Sequence, residues 1–109
     1  MPDVFQILAD PSRRRIVDAL KGGERSVGDI VDLLDIGQPG VSRQLQILED
    51  ANFVVVRPDG RRRLYSLRPE PFQELSRFVT TYRQVWEGRL DRFAAEIERR
   101  KKNKKEKQK

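Results

Sequence analysis

The most informative stretch of the sequence is Ile36-Gly37-Gln38-Pro39-Gly40-Val41-Ser42-Arg43-Gln44-Leu45-Gln46-Ile47-Leu48-Glu49-Asp50-Ala51. It predicts one helix of about four turns, because Val41, Leu45 and Leu48 recur at the i, i+4, i+7 spacing of a buried stripe. At about 100° per residue, the opposite side of that helix carries a second group. Its members are Pro39, Ser42, Arg43 and Gln46. Alone, the stretch fits either an amphipathic surface helix or a helix that reads nucleic acid.

The polar side of this helix carries no acid in its first two turns, and acids appear only at Glu49 and Asp50. Its hydrogen-bonding side chains are short or of medium length and lie near the helix N-terminus: Gln38, Ser42, Arg43 and Gln46. Such groups match base edges in a DNA major groove, and the helix dipole favours a nearby phosphate. The neighbouring segments favour the second interpretation.

The N-terminal part of the chain predicts two helices. Residues 3–9 form a short helix that is too apolar to lie free. Asp10-Pro11 begins the next helix, with aspartate as its N-cap and proline in its first turn. Arg13, Arg14 and Arg15 form a basic run near its start, and we expect at least two of them to be solvated.

A third helix is predicted from Ser26, whose spacing to Asp29 is that of a capping box with aspartate in place of the usual glutamate. Asp35-Ile36-Gly37 forms a short turn before the quoted helix, and Gly37 is the expected N-cap of that helix. Helix, three- or four-residue turn and helix make a helix-turn-helix unit.

After the quoted helix the pattern changes to that of strands. Phe53-Val54-Val55-Val56 is β-branched and aromatic, and Pro58-Asp59-Gly60 predicts a tight turn with an Asp-Gly hairpin signal. Residues 61–67 return as a second strand that begins with Arg61, Arg62 and Arg63. Because like charges repel, three arginines at a hairpin tip indicate an anionic partner. A hairpin directly after a helix-turn-helix is a wing, which can reach backbone phosphate or an adjacent minor groove.

The last helix is predicted from Pro71 to about Arg100, and a helix of about 28 residues is roughly 42 Å long. Its apolar stripe is rich in aromatic residues: Phe72, Leu75, Val79, Tyr82, Trp86, Leu90, Phe93 and Ile97. A helix of that length exceeds the width of a small domain, so part of it must pack outside its own fold. We expect the first half to cover the core and the second half to pair with a second copy of the chain.

The composition limits the possible classes of protein. The chain has 109 residues, enough for one domain with one modest core. It has no cysteine and no histidine, which removes disulfides, thiolate metal sites, cysteine nucleophiles and the commonest general base. We therefore expect neither an enzyme nor a bound cofactor. The chain has no apolar run that could cross a bilayer and no signal peptide, which predicts a cytoplasmic protein with no membrane partner.

The charge is concentrated at the C-terminal end. The net charge is +6, but residues 99–109 alone carry eight cations against Glu106. The high isoelectric point therefore does not indicate a basic folded part. The sequence predicts a single DNA-binding and dimerisation domain over residues 1–98 and a disordered basic tail over residues 99–109. The tail is interpreted either as a solubilising end or as a DNA tether.

Four motifs, taken in order, resemble the ArsR family of dimeric winged-helix transcription regulators. They are Ala9-Asp10-Pro11-Ser12-Arg13-Arg14-Arg15-Ile16, Ser26-Val27-Gly28-Asp29-Ile30, Gln38-Pro39-Gly40-Val41-Ser42-Arg43-Gln44-Leu45 and Gly60-Arg61-Arg62-Arg63-Leu64-Tyr65-Ser66-Leu67. The resemblance covers about residues 4–98. It implies a mainly helical winged helix-turn-helix: four helices, a small two-stranded hairpin and a last helix. It also implies a homodimer joined through the first and last helices.

The resemblance also implies residue roles, with a recognition helix over about Gln38–Ala51. The predicted DNA-binding residues are Gln38, Pro39, Ser42, Arg43, Gln46, Arg61, Arg62 and Arg63. The predicted dimerisation residues are Val4, Phe5, Leu8, Tyr82, Trp86, Leu90 and Phe93. Gln44 stands where many relatives have histidine, and we expect little effect because it lies on the flank of the helix.

Metal-sensing members of the family carry a cysteine pair in the helix that begins here at Ser26, or histidine and aspartate on the last helix. This chain has neither cysteine nor histidine, so no metal site is expected. It looks like the metal-independent branch of the family, with an unidentified small-molecule effector left open. The predicted function is a sequence-specific regulator, a repressor or else an activator, that binds a palindromic operator in double-stranded DNA as a homodimer.

Two alternatives belong to other classes. One is a nucleic-acid-binding protein without sequence preference, in which the basic tail supplies most of the affinity. The other is a protein-interaction adaptor that keeps a winged-helix scaffold. A protected, two-fold symmetric DNA site separates the first alternative from the predicted function, and binding to no duplex at low salt favours the adaptor.

Overall fold

The computed structural model describes the backbone of residues 3–107 and the side chains of residues 3–104. Its elements are α1 (Val4–Ala9), α2 (Pro11–Ala19), β1 (Arg25–Ser26), α3 (Val27–Leu34), α4 (Gln38–Asp50), β2 (Val54–Asp59), β3 (Arg62–Leu67) and α5 (Glu70–Lys107). The chain forms two compact units, Met1–Leu75 and Ser76–Lys109, and the single domain over residues 1–98 stays a prediction. The boundary falls within α5 because Leu75 packs on the core of the first unit, whereas the large apolar side chains after it are exposed.

The predicted helix starts are confirmed by their caps. One carboxylate oxygen of Asp10 accepts hydrogen bonds from the backbone N–H groups of Ser12, at 2.8 Å, and Arg13, at 3.1 Å. Ser26 and Asp29 form the predicted capping box, with each side chain bonded to the other residue's backbone N–H at 3.2 Å. The hydrogen bond from the Ser26 backbone is the main cause that lowers the pKa of the Asp29 carboxyl. These local contacts fix where α2 and α3 begin.

The core of the first unit is built around the predicted buried stripe of α4. Val41, Leu45 and Leu48 are fully buried. They belong to one cluster with Val4, Ile7, Ile16, Leu20, Ile30, Phe53, Val54 and Tyr65. Val4 is therefore buried within its own chain, and its role in dimerisation stays a prediction. Its side chain faces the core because residues at the i, i+3 spacing of Val4 and Ile7 share one face of a helix.

The sheet has three antiparallel strands in the order β1-β3-β2, one more than the predicted hairpin. The extra strand is only the pair Arg25–Ser26, which has no strand-like composition and was missed for that reason. In the hairpin Asp59 pairs with Arg62, so the loop consists of Gly60 and Arg61, and Asp59 belongs to the strand. Gly60 has a φ of 63°, which a two-residue hairpin requires at its first loop position.

The last helix is longer than predicted. α5 has 38 residues and continues through most of the predicted disordered tail, which corrects the predicted helix end near Arg100. Glu96 accepts hydrogen bonds from Arg99, at 2.5 Å, and from Arg100, at 3.2 Å. These pairs at i, i+3 and i, i+4, and cations near a helix C-terminus, favour continuation of the helix. The predicted disorder at residues 108–109 lies outside the described residues.

Candidate nucleic-acid interface

The outer face of α4, defined by Gln38, Pro39, Ser42, Arg43 and Gln46, is exposed as predicted. The buried stripe on the opposite side orients it, because Val41 and Leu45 have no exposed surface. The structure therefore brings five of the eight predicted DNA-binding residues together on one helix. Their backbone spacing is fixed by the helix, which suits a row of neighbouring base edges.

The N-terminal end of α4 leaves its first backbone donors open. The helix begins at Gln38 after Gly37, and no side chain of the described residues caps this end. Asp35 turns the chain into it with a left-handed φ of 54°. Uncapped N–H groups and the positive end of the helix dipole both attract a phosphate. The start of α4 thus offers an anion-binding end beside the outer face.

The two longest side chains of the outer face differ in their partners. Within the described part of the chain, Arg43 makes no hydrogen bond or ion pair, so its guanidinium keeps its donors for a ligand. Gln46 donates from Nε2 to the Asp50 carboxylate at 2.9 Å. That bond orients the Gln46 amide and leaves one N–H and the carbonyl oxygen to contact a base. Sequence reasoning did not foresee the role of Asp50.

The wing, defined as β2, β3 and the loop between them, carries the other predicted contacts. Arg61, Arg62 and Arg63 are all exposed. Arg62 has an acidic neighbour, because the Asp59 carboxylate lies 3.8 Å from its guanidinium. Arg61 lies in the loop, and Arg63 lies on β3; neither has an acidic partner among the described residues. Arg61 and Arg63 are therefore the more available cations of the three.

A fourth arginine of the wing serves the structure instead. Arg57 on β2 donates to both oxygens of Glu24, from Nε at 2.6 Å and from Nη2 at 3.0 Å. The hydrogen bond from Arg57 holds the pKa of the Glu24 carboxyl below its ordinary value, and the same bond raises the pKa of Arg57. The pair spans the sheet from the residue before β1 to β2. No local pattern could predict it, because its members are 33 positions apart.

This pair gives a pH-dependent prediction. We expect Arg57→Gln to raise the pKa of Glu24 toward its ordinary value, as followed by carbon-detected NMR titration of the carboxyl. A lowered pKa stabilises the folded state only while the carboxyl is ionised. The stability difference between the two proteins is therefore present at neutral pH and disappears as the pH falls through the folded-state pKa of Glu24. Identical Glu24 titration curves in both proteins would contradict the pairing.

The basic run near the start of α2 binds backbone carbonyls of other helices. Arg14 and Arg15 are exposed, as predicted for two of the three, and they donate to Leu8 O at 3.1 Å and Leu34 O at 2.7 Å. Arg13 donates from Nε to Ile7 O at 2.8 Å. Ile7, Leu8 and Leu34 lie in the last turns of α1 and α3, where carbonyls have no partner within the helix. The run thus caps two helix ends.

The predicted dimerisation residues lie in both units. In the first unit Phe5 is exposed and Leu8 is half-buried on the core. In the second unit four predicted residues are exposed on α5: Tyr82, Trp86, Leu90 and Phe93. The Arg89 guanidinium lies over the Trp86 ring, 5.3 Å from its centroid. Successive turns of α5 therefore present aromatic and aliphatic side chains to one side.

Two other kinds of site are absent from the described residues. These residues contain no group of three or more acidic residues, cysteines or histidines that could hold a metal ion. Over the same range no helix is both long enough and apolar enough to cross a membrane.

A helix-turn-helix with an acid-free outer face, followed by a basic hairpin, defines a winged helix-turn-helix DNA-binding protein. Residues 8–57 match the family model described as a helix-turn-helix domain. The chain is 38% identical over 74 residues to the transcriptional repressor SdpR of Bacillus subtilis, covering 68% of this chain and 82% of SdpR. It is 37% identical over 98 residues to the HTH-type transcriptional regulator Rv2034 of Mycobacterium tuberculosis, covering 89% of each.

A solved structure agrees with these relatives. The crystal structure of an ArsR family transcriptional regulator matches with a TM-score of 0.65 and 28% sequence identity, over 77% of this chain and 87% of that one. The chain belongs to the ArsR family of winged helix-turn-helix transcriptional regulators. The family resemblance and the fold class expected from the sequence are thereby confirmed, and the protein is a DNA-binding transcriptional regulator.

Proposed function

We propose that the protein is a repressor that binds a two-fold symmetric operator as a homodimer and has no catalytic activity. The outer face of α4 reads base edges in the major groove, and Arg61 and Arg63 of the wing contact the backbone beside it. The observation that carries this proposal is the exposed outer face, which contains an unpartnered Arg43 and no acid in its first two turns. Repression is suggested by SdpR, which is named a transcriptional repressor.

The homodimer is proposed from the second unit. The apolar stripe, defined as Val79, Tyr82, Trp86, Leu90, Phe93 and Ile97, follows one side of α5 and is exposed along its length. An exposed surface of six large apolar residues marks an interaction site, because removing apolar surface from water is favourable. A second copy presents the same stripe, and two-fold pairing of like surfaces is the commonest way to cover it.

Footprinting on the DNA upstream of the protein's own gene tests the proposal. We expect one discrete protected site with two-fold symmetry and a half-site spacing of about 10 base pairs. Protection without sequence preference would support the alternative in which the basic C-terminal residues supply the affinity. No binding to any duplex at low salt would support a protein-interaction adaptor.

The salt dependence of binding separates the wing from the C-terminal arm, defined as residues 99–107. We expect the double variant Arg61→Gln, Arg63→Gln to lose more affinity for the operator than for a scrambled duplex. The wing is rigidly joined to α4, so only a correctly docked complex places both cations on phosphate. The salt slope for the operator should fall by about 4, since the homodimer loses four phosphate contacts and each contributes about 0.9.

The matched control removes two cations from the arm with Lys101→Gln and Lys104→Gln. Both side chains are exposed and have no ion-pair partner within the described residues. We expect the operator and the scrambled duplex to lose affinity by similar factors, because a polycation attracts any duplex. If the arm variant alone removed discrimination, the wing would not be the specific contact.

A further inference from the structure

Arg13 joins three helices through one side chain. Its Nε donates to Ile7 O at 2.8 Å and its Nη2 to Gln6 O at 3.4 Å, both in α1. Its Nη1 donates to Gln44 Oε1 of α4 at 3.2 Å. The Arg13 side chain is only 17% exposed, in contrast to its neighbours Arg14 and Arg15. A guanidinium presents its donors in a rigid planar fork, so satisfying these acceptors fixes their relative positions.

Gln44 is the only described residue of α4 whose side chain bonds to another helix. It stands between Arg43 on the outer face and Leu45 in the core. The buried stripe sets which side of α4 faces the core, but its apolar contacts are non-directional and leave a small rotation about the helix axis less restrained. A hydrogen bond is directional and sets that rotation.

We propose that Arg13 is a positioning residue for α4, which sets the rotation of the outer face through Gln44 and thereby the discrimination between operator and other DNA. A rotation of 10° about the axis of α4 moves a side-chain atom on its surface by about 1 Å. Recognition geometry tolerates only about 0.5 Å or 10–20°. Loss of one hydrogen bond on the flank is therefore enough to misalign Arg43.

The test compares variants that remove the bond with variants that keep it. Gln44→Leu removes the acceptor, and Arg13→Lys keeps the charge but loses the fork. Gln44→Glu keeps an acceptor for Arg13. Arg14→Lys is the matched control, because Arg14 bonds to Leu8 O of α1 and not to α4. All four variants retain the charge of the arginine run. A change in the ratio of operator affinity to scrambled-duplex affinity therefore indicates a change in the orientation of the outer face of α4.

We expect Gln44→Leu and Arg13→Lys to lower that ratio by about three- to tenfold, the size of one net hydrogen bond. The double variant Arg13→Lys, Gln44→Leu should lower the affinity ratio no further than Arg13→Lys alone, because both changes break the same hydrogen bond. Gln44→Glu should lower both affinities and keep the ratio, and Arg14→Lys should change neither. Additive losses, or an unchanged ratio in Gln44→Leu, would overturn the proposal.

A DNA-free measurement keeps the inference independent of the proposed function. Residual dipolar couplings of backbone amides give the orientation of α4 relative to α2 in solution. We expect the α4 couplings to change in Gln44→Leu and to match the unsubstituted protein in Gln44→Glu. If α4 keeps its orientation in Gln44→Leu, Arg13 is a structural residue only. If α4 rotates but wild-type protein does not discriminate between duplexes, the proposed function fails and the positioning role stands.

Discussion

Trp86→Glu is expected to convert the proposed homodimer into a monomer and to abolish operator binding. The Trp86 side chain is 53% exposed within its own chain, so its loss does not remove a core residue. In a two-fold dimer each substitution occurs twice, and it places a charge in an apolar contact. Loss of an interfacial tryptophan weakens association by about 2 kcal/mol or more per copy, or about 4 kcal/mol for both copies. We therefore expect a dimer dissociation constant raised at least about 1,000-fold.

Sedimentation velocity at micromolar concentration measures this change, and Gln84→Glu is the matched control. Gln84 is exposed, and two positions on a helix separate it from Trp86 by about 200°, which places it opposite the stripe. It receives the same charge and should leave the dimer intact. Leu90→Glu, on the stripe, should repeat the loss. A monomeric wild-type protein, or a dimeric Trp86→Glu variant, would contradict the proposed interface.

Arg43→Ala is expected to give the second largest effect. We expect the operator affinity to fall about 30-fold or more, because the homodimer loses two bidentate arginine contacts with guanine of about 1–3 kcal/mol each. The melting temperature should stay within a degree or two, because Arg43 is exposed and has no partner among the described residues. Fluorescence anisotropy with the operator and with single-base variants measures the affinity and its base preference.

Lys21→Ala serves as the control for Arg43→Ala, because it also removes one exposed cation from the first unit. We expect a change of less than about twofold in operator affinity, since Lys21 lies outside α4 and the wing and is paired with Asp18. Equal losses in the two variants would mean that Arg43 contributes only net charge. An unaltered affinity in Arg43→Ala would mean that α4 docks differently.

The parts of the fold that could be predicted from sequence depend on local spacing. The capping box of Ser26 with Asp29, the Asp10 cap and the buried stripe of α4 each lie within one helix. The spacing of these residues along the chain therefore predicts where a helix begins and which of its sides is buried. The same reasoning placed the outer face of α4, because a helix with one buried stripe must expose the other side.

The features that could not be predicted depend on contacts between residues far apart in the sequence, or on acidic neighbours that occupy a polar or basic side chain. Arg13 and Gln44 are 31 positions apart, and nothing in either segment indicates their bond. β1 exists only because β3 pairs with it. Within the candidate site, Gln46 and Arg62 each have an acidic neighbour. Without the structure, the sequence could not show that these two side chains are less available to a ligand than Arg43, Arg61 and Arg63. The length of α5 was underestimated because the apolar stripe ends at Ile97, while charge pairs from Glu96 favour further turns.

Site-directed DNA cleavage tests most directly whether the outer face of α4 lies in the major groove. The chain has no cysteine, so Ser42→Cys creates a single attachment point for an iron-EDTA cleavage reagent. On the footprinted operator, we expect two clusters of cuts related by two-fold symmetry and centred about 10 base pairs apart. Cuts spread evenly along the duplex, or a pattern equally strong on scrambled DNA, would contradict recognition by α4.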